Sequence, residues 1–199
     1  MRIISISNQK GGVGKTTTTV NLAASLALSK KKVLLIDLDP QGNATSGAGI
    51  NKTGLISSIY DALIEQKTIN EVVLHSEDGL FDVAAANQSL AGAEVELVGI
   101  KNREFILKKA IEGLTVKYDY ILIDCPPALN LLTVNALVAS DSVLIPMQCE
   151  YYALEGLSDL VNTIRKVKKN LNPNIEIEGL LRTLFDKRNT LTKQVSDQL

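Results

Sequence analysis

The 199-residue chain has no tryptophan, three phenylalanines, five tyrosines, one histidine, two cysteines and five prolines. Each scarcity removes a class of protein. Cys125 and Cys149 form no Cys-x-x-Cys pair, which excludes a disulfide framework and a cysteine-rich metal site and suits buried free thiols in a reducing compartment. The single histidine, His75, lies in a polar segment before Gly79 and reads as a solvated loop residue, not as a base or ligand. An excess of either charge is also missing: 21 Lys and Arg against 22 Asp and Glu leave a net charge of −1. A uniformly basic coat for nucleic acid is excluded, while local patches stay open. Long hydrophobic runs are absent too. The longest uncharged run rich in apolar residues, Cys125 to Ser140, is interrupted by Pro126, Pro127, Asn130 and Asn135 and is too short to cross a bilayer. The first residues, Met1 to Asn8, read as a strand and not as a signal peptide.

What is present is an ordinary globular composition, 45% hydrophobic and 22% charged. A single domain over residues 1–199 is expected, large enough to bury roughly 70% of the surface its unfolded form exposes. Short apolar runs alternate with stretches of helical period, the pattern of an α/β fold with a mostly parallel sheet and helices on both faces. Strands are expected at Ile3 to Ser7, Val33 to Ile36, Leu80 to Ala85, Tyr120 to Ile123, Ser142 to Pro146 and Ile177 to Leu184. The first helix should run from about Lys15 to Ser29. Another, from about Ala153 to Lys169, places Leu154, Leu157, Leu160, Val161, Ile164 and Val167 on one stripe. Its last turn carries Arg165, Lys166, Lys168 and Lys169, cations that suit a helix C-terminus. Residues Asp39 to Ile50 read as a ligand loop at the carboxyl edge of the sheet, and Leu191 to Leu199 as the start of a helix.

The strongest local signal is Asn8-Gln-Lys-Gly-Gly-Val-Gly-Lys15-Thr-Thr17, set between an apolar strand and a helix. That is the context of a phosphate loop. Gly11, Gly12, Val13 and Gly14 would turn backbone N–H groups onto phosphate oxygens, with the helix N-terminus adding partial positive charge. Lys15 would bring a full charge to the terminal phosphates, Thr16 a hydroxyl to Mg²⁺, and Thr17 a further contact at the helix start. The common pattern has glycine where this chain has Gln9, and a second lysine, Lys10, stands inside the loop. From the residues alone Lys10 is an extra phosphate contact in its own subunit. Two carboxylates, Asp37 and Asp39, end the next buried strand and suit either a metal and water site or a cap on the following turn. Tyr118 to Asp124 is an apolar strand ending in a carboxylate, placed to hold Mg²⁺ through water.

These residues resemble the deviant Walker-A ATPases of the ParA and MinD superfamily, whose loop reads Lys-Gly-Gly-x-Gly-Lys-Ser/Thr. Asp39-Pro-Gln-Gly-Asn43, Asp124-Cys-Pro-Pro127 and Pro146-Met-Gln-Cys-Glu-Tyr-Tyr-Ala-Leu-Glu-Gly-Leu157 look like the ParA, or Soj, partition branch, over essentially the whole chain. The resemblance implies a P-loop NTPase fold and an ATPase that uses Mg²⁺. It also implies a nucleotide-sandwich homodimer in which Lys10 reaches the partner's phosphates. Lys15 and Asp39 would be catalytic, with Asp39 orienting the attacking water. Asp124 would hold Mg²⁺, and Asp37 would support the metal shell or the loop lysine. It further implies non-specific DNA binding, a ParB-type centromere-binding partner, and a cytoplasmic, nucleoid-associated protein without a membrane anchor. Between Tyr151 and Leu199 the basic residues Arg165, Lys166, Lys168, Lys169, Arg182, Lys187, Arg188 and Lys193 outnumber the acidic ones by two. Arg188, in Leu184-Phe-Asp-Lys-Arg188, stands at the position of the family's DNA-contacting arginine.

Related branches fit less well. Synthetases of the cobyrinic-acid or dethiobiotin kind use the same loop to activate a carboxylate but usually lack the Lys10 arrangement. Septum-placement ATPases of the MinD kind end in a basic amphipathic helix that this sequence does not show. The iron-protein branch needs cysteines in glycine-containing loops, whereas Cys125 directly follows Asp124. The resemblance also implies a chain that continues past Leu199 with further strands, an adenine-bracketing loop and closing helices.

Overall fold

The computed structural model describes residues 1–150, 153–186, 188 and 190–197. In chain order the elements are β1 (Arg2–Ile6), α1 (Lys15–Leu28), β2 (Val33–Asp37), α2 (Asn43–Gly47), α3 (Ile59–Leu63), α4 (Ile69–Val72), β3 (Val73–Ser76), β4 (Phe81–Ala84), α5 (Leu90–Leu97), α6 (Ile106–Glu112), β5 (Tyr120–Asp124), α7 (Leu131–Ala139), β6 (Ser142–Gln148), α8 (Ala153–Asn170), β7 (Glu176–Thr183) and α9 (Thr190–Asp197). Among the described residues the strands form one seven-stranded sheet in the order β3-β4-β2-β5-β1-β6-β7. Every pairing is parallel except β3 with β4.

Continuous β-branched and leucine runs make the central strands, because helices cover both faces. One face buries Leu34, Ile36, Ile121 and Ile123 under α3, α5, α6 and α7. The other buries Ile4, Ile6, Leu35 and Leu122 against the apolar side of α1 and against α2. A third cluster joins α7, β6 and α8 through Leu137, Val143, Leu160, Ile164 and Val167. This is the stripe expected on α8, with its four terminal cations exposed. Lys187, Tyr151 and Tyr152, and the side chains of Leu154 and Lys193, lie outside the described residues.

Two expectations are corrected. His75 lies on β3, not in a loop: it is directly opposite Asp82 on β4, with Nδ1 2.7 Å from the carboxylate, and is half exposed. The short antiparallel hairpin escapes a search for continuous apolar runs because β3, Val-Leu-His-Ser, is polar and partly open. Within the loop expected from Asp39 to Ile50, α2 forms a short helix, since Gly42 takes a left-handed conformation (φ 61°) and starts a turn that buries Ala44 and Thr45. At the sheet's far edge, β7 is largely exposed, Leu180 and Leu181 included, and α9 meets it where the Arg182 guanidinium donates to the Ser196 hydroxyl.

Strand order reverses direction around β1. The chain leaves β1 through α1 toward β2 on one side and later crosses from β5 to β6 on the other. The carboxyl ends of β1, β2, β5 and β6 therefore meet at one crevice, where open α/β sheets collect ligands.

Candidate phosphate and metal site

The segment from Asn8 to Gly14 joins β1 to α1 and has two glycines in the left-handed region, Gly12 (φ 74°) and Gly14 (φ 83°), the latter capping α1. L side chains rarely adopt these angles, so the local winding depends on glycine. A Cβ at Gly11 would meet nothing within 4 Å, which leaves the rim of the loop open to a ligand or a second molecule. Lys15, the first residue of α1, is 7% exposed, and its ammonium donates to the Lys10 carbonyl at 3.1 Å. Burial lowers its pKa, against the opposing pull of Asp124, Cys125 and Asp39. A buried ammonium whose one hydrogen bond among the described residues is to its own loop is poised to gain from an arriving anion. Gln9 Nε2 is likewise buried with no hydrogen-bond partner among the described residues.

Asp37 and Asp124 are register partners at the ends of adjacent parallel strands, and both are fully buried. Thr16 donates to Asp124 Oδ2 at 2.7 Å, and the Thr19 hydroxyl lies 3.0 Å from Oδ1. Burial first, and then the neighbouring Asp37 charge, push the Asp124 pKa up to about 7. For Asp37 burial raises it to about 6. The Asp37 oxygens are engaged by the chain that follows: Oδ1 accepts from the Asp39 N–H at 3.1 Å, and Oδ2 from the Thr45 N–H at 2.8 Å and hydroxyl at 2.7 Å. Thr45 Oγ1 in turn accepts from the Ala86 N–H at 2.9 Å. Asp37 thus fixes the turn that carries Asp39, which is half-buried and accepts from the Gln41 N–H at 2.9 Å. The cap reading describes this pair, and the turn it holds is the one at the crevice.

Lys10, Gly11, Gly12, Val13, Gly14, Lys15, Thr16, Asp37, Asp39 and Asp124 are therefore brought together. Thr17 is exposed beside Gly12 and Gly14 in a groove of about 590 Å³ between α1 and the end of β7, lined also by Asn21, Leu181 and Thr183. Arg188 is elsewhere, on the turn before α9. Its guanidinium forks onto Asp186, with Nη2 to Oδ2 at 2.8 Å and Nε to Oδ1 at 3.0 Å. Lys10 pairs with the Glu150 carboxylate of its own chain. Two buried hydroxyls were missed from sequence. Thr19 follows Thr16 by three positions and shares its helix face, a spacing that could have marked it. Thr45 was hidden in a segment read wholly as loop.

The donor set suits a magnesium nucleotide: a glycine-wound loop opening a helix, a buried lysine, and a hydroxyl on a carboxylate at a strand end. Fold and site together define a nucleotide-binding α/β protein of the P-loop NTPase class.

A family model described as "AAA domain" matches residues 1–177. The chain is 56% identical over 198 residues to the chromosome partitioning protein ParA of Myxococcus xanthus, spanning 100% of this chain and 70% of that protein. It is 55% identical over 198 residues to the sporulation initiation inhibitor protein Soj of Bacillus subtilis, spanning 100% of this chain and 78% of that protein. Among solved structures, cobyrinic acid a,c-diamide synthase of Mycobacterium smegmatis with bound ADP and magnesium superposes with a TM-score of 0.95 at 37% identity, covering 100% of this chain and 80% of that one. The chain belongs to the ParA/Soj family.

Proposed function

We propose that the chain works as an ATP-driven partition switch: it binds Mg-ATP, closes into a homodimer, holds DNA without sequence preference, and hydrolyses ATP when a ParB-type partner engages it. The observation that carries the reading is identity at 55–56% along the whole chain to proteins named ParA and Soj, with the loop residues Lys10 and Lys15 both in place.

The geometry supports the roles at the phosphate loop and the carboxylates, and the family resemblance supplies those of Lys10 and Arg188. Backbone N–H groups of Gly11 to Lys15 and the Lys15 ammonium bind the phosphates. Thr16 and Asp124 hold Mg²⁺, which supplies electrostatic neutralisation of the phosphate oxygens. Burial keeps the Asp124 carboxyl protonated more readily than usual, so a dication there favours its ionised form. Asp39 orients the attacking water, and Asp37, through Thr45 and the Asp39 N–H, keeps that carboxylate at the crevice. Lys10 leaves Glu150 to reach the second protomer's phosphates. Arg188 exchanges Asp186 for a DNA phosphate, an exchange of one bidentate anion for another at an exposed site.

A second reading, ATP-dependent activation of a carboxylate, is favoured by the 0.95 TM-score to the synthase. Phosphate release separates the two. The partition reading expects slow release from ATP that duplex DNA together with a ParB-type protein accelerates. Release that ignores both, yet rises with a carboxylic acid substrate and a nitrogen donor, would replace it with the synthetase reading.

A further inference from the structure

The phosphate loop is wound by its glycines, but two of its carbonyls are also held from outside, by side chains at the ends of β6 and β7. Strand β6 is paired with β1 only as far as Ile6 opposite Leu144, then runs on to Gln148. Strand β7 keeps pace with it, so that Gln148 and Thr183 are register partners at the shared carboxyl end of the two strands. These two side chains rise beside the loop and take successive carbonyls of it. Gln148 Nε2 donates to the Gly12 carbonyl at 3.0 Å, and Thr183 Oγ1 donates to the Val13 carbonyl at 2.8 Å. The Thr183 methyl lies against Gly14, 3.5 Å from where a Cβ would stand.

In a trans peptide the C=O and the N–H point in opposite directions. Anchoring the Gly12 and Val13 carbonyls to the β6–β7 end therefore turns the N–H groups of Val13 and Gly14 away from it. Neither N–H is used by a backbone carbonyl among the described residues. A loop of flexible glycines would otherwise sample other peptide orientations, and an N–H turned outward binds no phosphate.

We infer that Gln148 and Thr183 are positioning residues for nucleotide binding, a paired clip that pre-orients the Val13 and Gly14 N–H groups toward the phosphates. The inference rests on the reading of residues 8–17 as a phosphate loop. Neither residue needs to touch nucleotide, since each acts through a carbonyl of the loop. Because β6 and β7 lead into α8 and α9, the clip also ties the loop's shape to the elements that follow those strands.

The test is ADP affinity of the full chain, measured by titration for wild type, Thr183→Val, Thr183→Ser, Gln148→Met and the Thr183→Val/Gln148→Met double variant, with thermal unfolding of each ligand-free protein alongside. Valine keeps the shape of threonine and methionine the length of glutamine, so each removes a donor with little change in volume. Each single loss should weaken ADP binding about three- to tenfold, the scale of one neutral hydrogen bond, and the double variant should weaken it further. Thr183→Ser, which keeps the hydroxyl, should stay within about twofold of wild type. ADP affinities of Thr183→Val and Gln148→Met within twofold of wild type would overturn the clip, as would serine behaving like valine or a loss of affinity explained wholly by the unfolded fraction. A wild-type chain that binds no ADP is a different failure: it removes the phosphate-loop reading, and the clip with it.

Discussion

At the scale of single residues, the site places two buried carboxylates on neighbouring strands and leaves both with pKa values above the ordinary range, Asp124 at about 7 and Asp37 at about 6. Their folded pKa values exceed the unfolded ones, so between about pH 4 and 7 the folded state holds more protons than the unfolded state. Stability of the ligand-free chain from these groups should fall as pH rises through that window. At about 1.4 kcal/mol per pH unit for each group, the loss between pH 5 and pH 8 is on the order of 4 kcal/mol. Urea unfolding at pH 5 and pH 8 measures it. Asp124→Asn should flatten the difference and stabilise the ligand-free protein at pH 8, while removing the benefit of Mg²⁺ to nucleotide binding. A variant as pH-sensitive as wild type would show that Asp124 is not the group titrating. The same burial that makes Asp124 costly without a ligand makes it a strong site for a dication.

At the scale of elements, most of what builds the site was legible in the chain. Strand β1, the glycine loop and α1 were readable because apolar alternation, glycine spacing and a Lys-Thr pair agree with one another, and β5 ends on Asp124 as its apolar run does. What escaped has physical reasons. The hairpin of β3 with β4 carries the polar His75 and Ser76, and half-exposed strands lack a continuous apolar run. Helix α2 is five residues long and depends on tertiary contacts, Thr45 with Asp37 and with the Ala86 N–H, which no local pattern encodes. The clip from Gln148 and Thr183 depends on register between two strands distant in sequence. Helix α2 also yields a test. Gly42 has a φ of 61°, and a Cβ there would lie 2.7 Å from the Ala86 carbonyl oxygen. Gly42→Ala should cost about 2 kcal/mol, lowering the melting temperature by roughly 4–8 °C. It should also loosen the turn that presents Asp39. An unchanged melting curve would show that the turn accommodates a side chain and does not fix Asp39.

At the scale of the whole molecule, a net charge of −1 constrains little, because charges are sorted by location. Cations gather on the last turn of α8, which is exposed, and the turn before α9 carries Arg188 within its pair with Asp186. A second protomer would double whatever patch one face presents, which is how a chain of balanced charge can hold a polyanion. Lys10 makes the same point from the other direction. Held by Glu150 within one chain, it sits at the open rim of the loop beside Gly11, where a second molecule can approach. Among the described residues no helix is long and apolar enough to cross a membrane.

The most direct test of the account is the size and DNA retention of Asp39→Ala, compared with wild type, in the presence of Mg-ATP and of Mg-ADP. If residues 8–17 bind Mg-ATP, Asp39 orients the hydrolytic water and closure creates the DNA-holding form, Asp39→Ala with Mg-ATP should elute as a stable dimer retained on DNA. With Mg-ADP it should elute as a monomer that is not retained. An Asp39→Ala protein that stays monomeric with Mg-ATP, or that turns ATP over at the wild-type rate, would contradict the account.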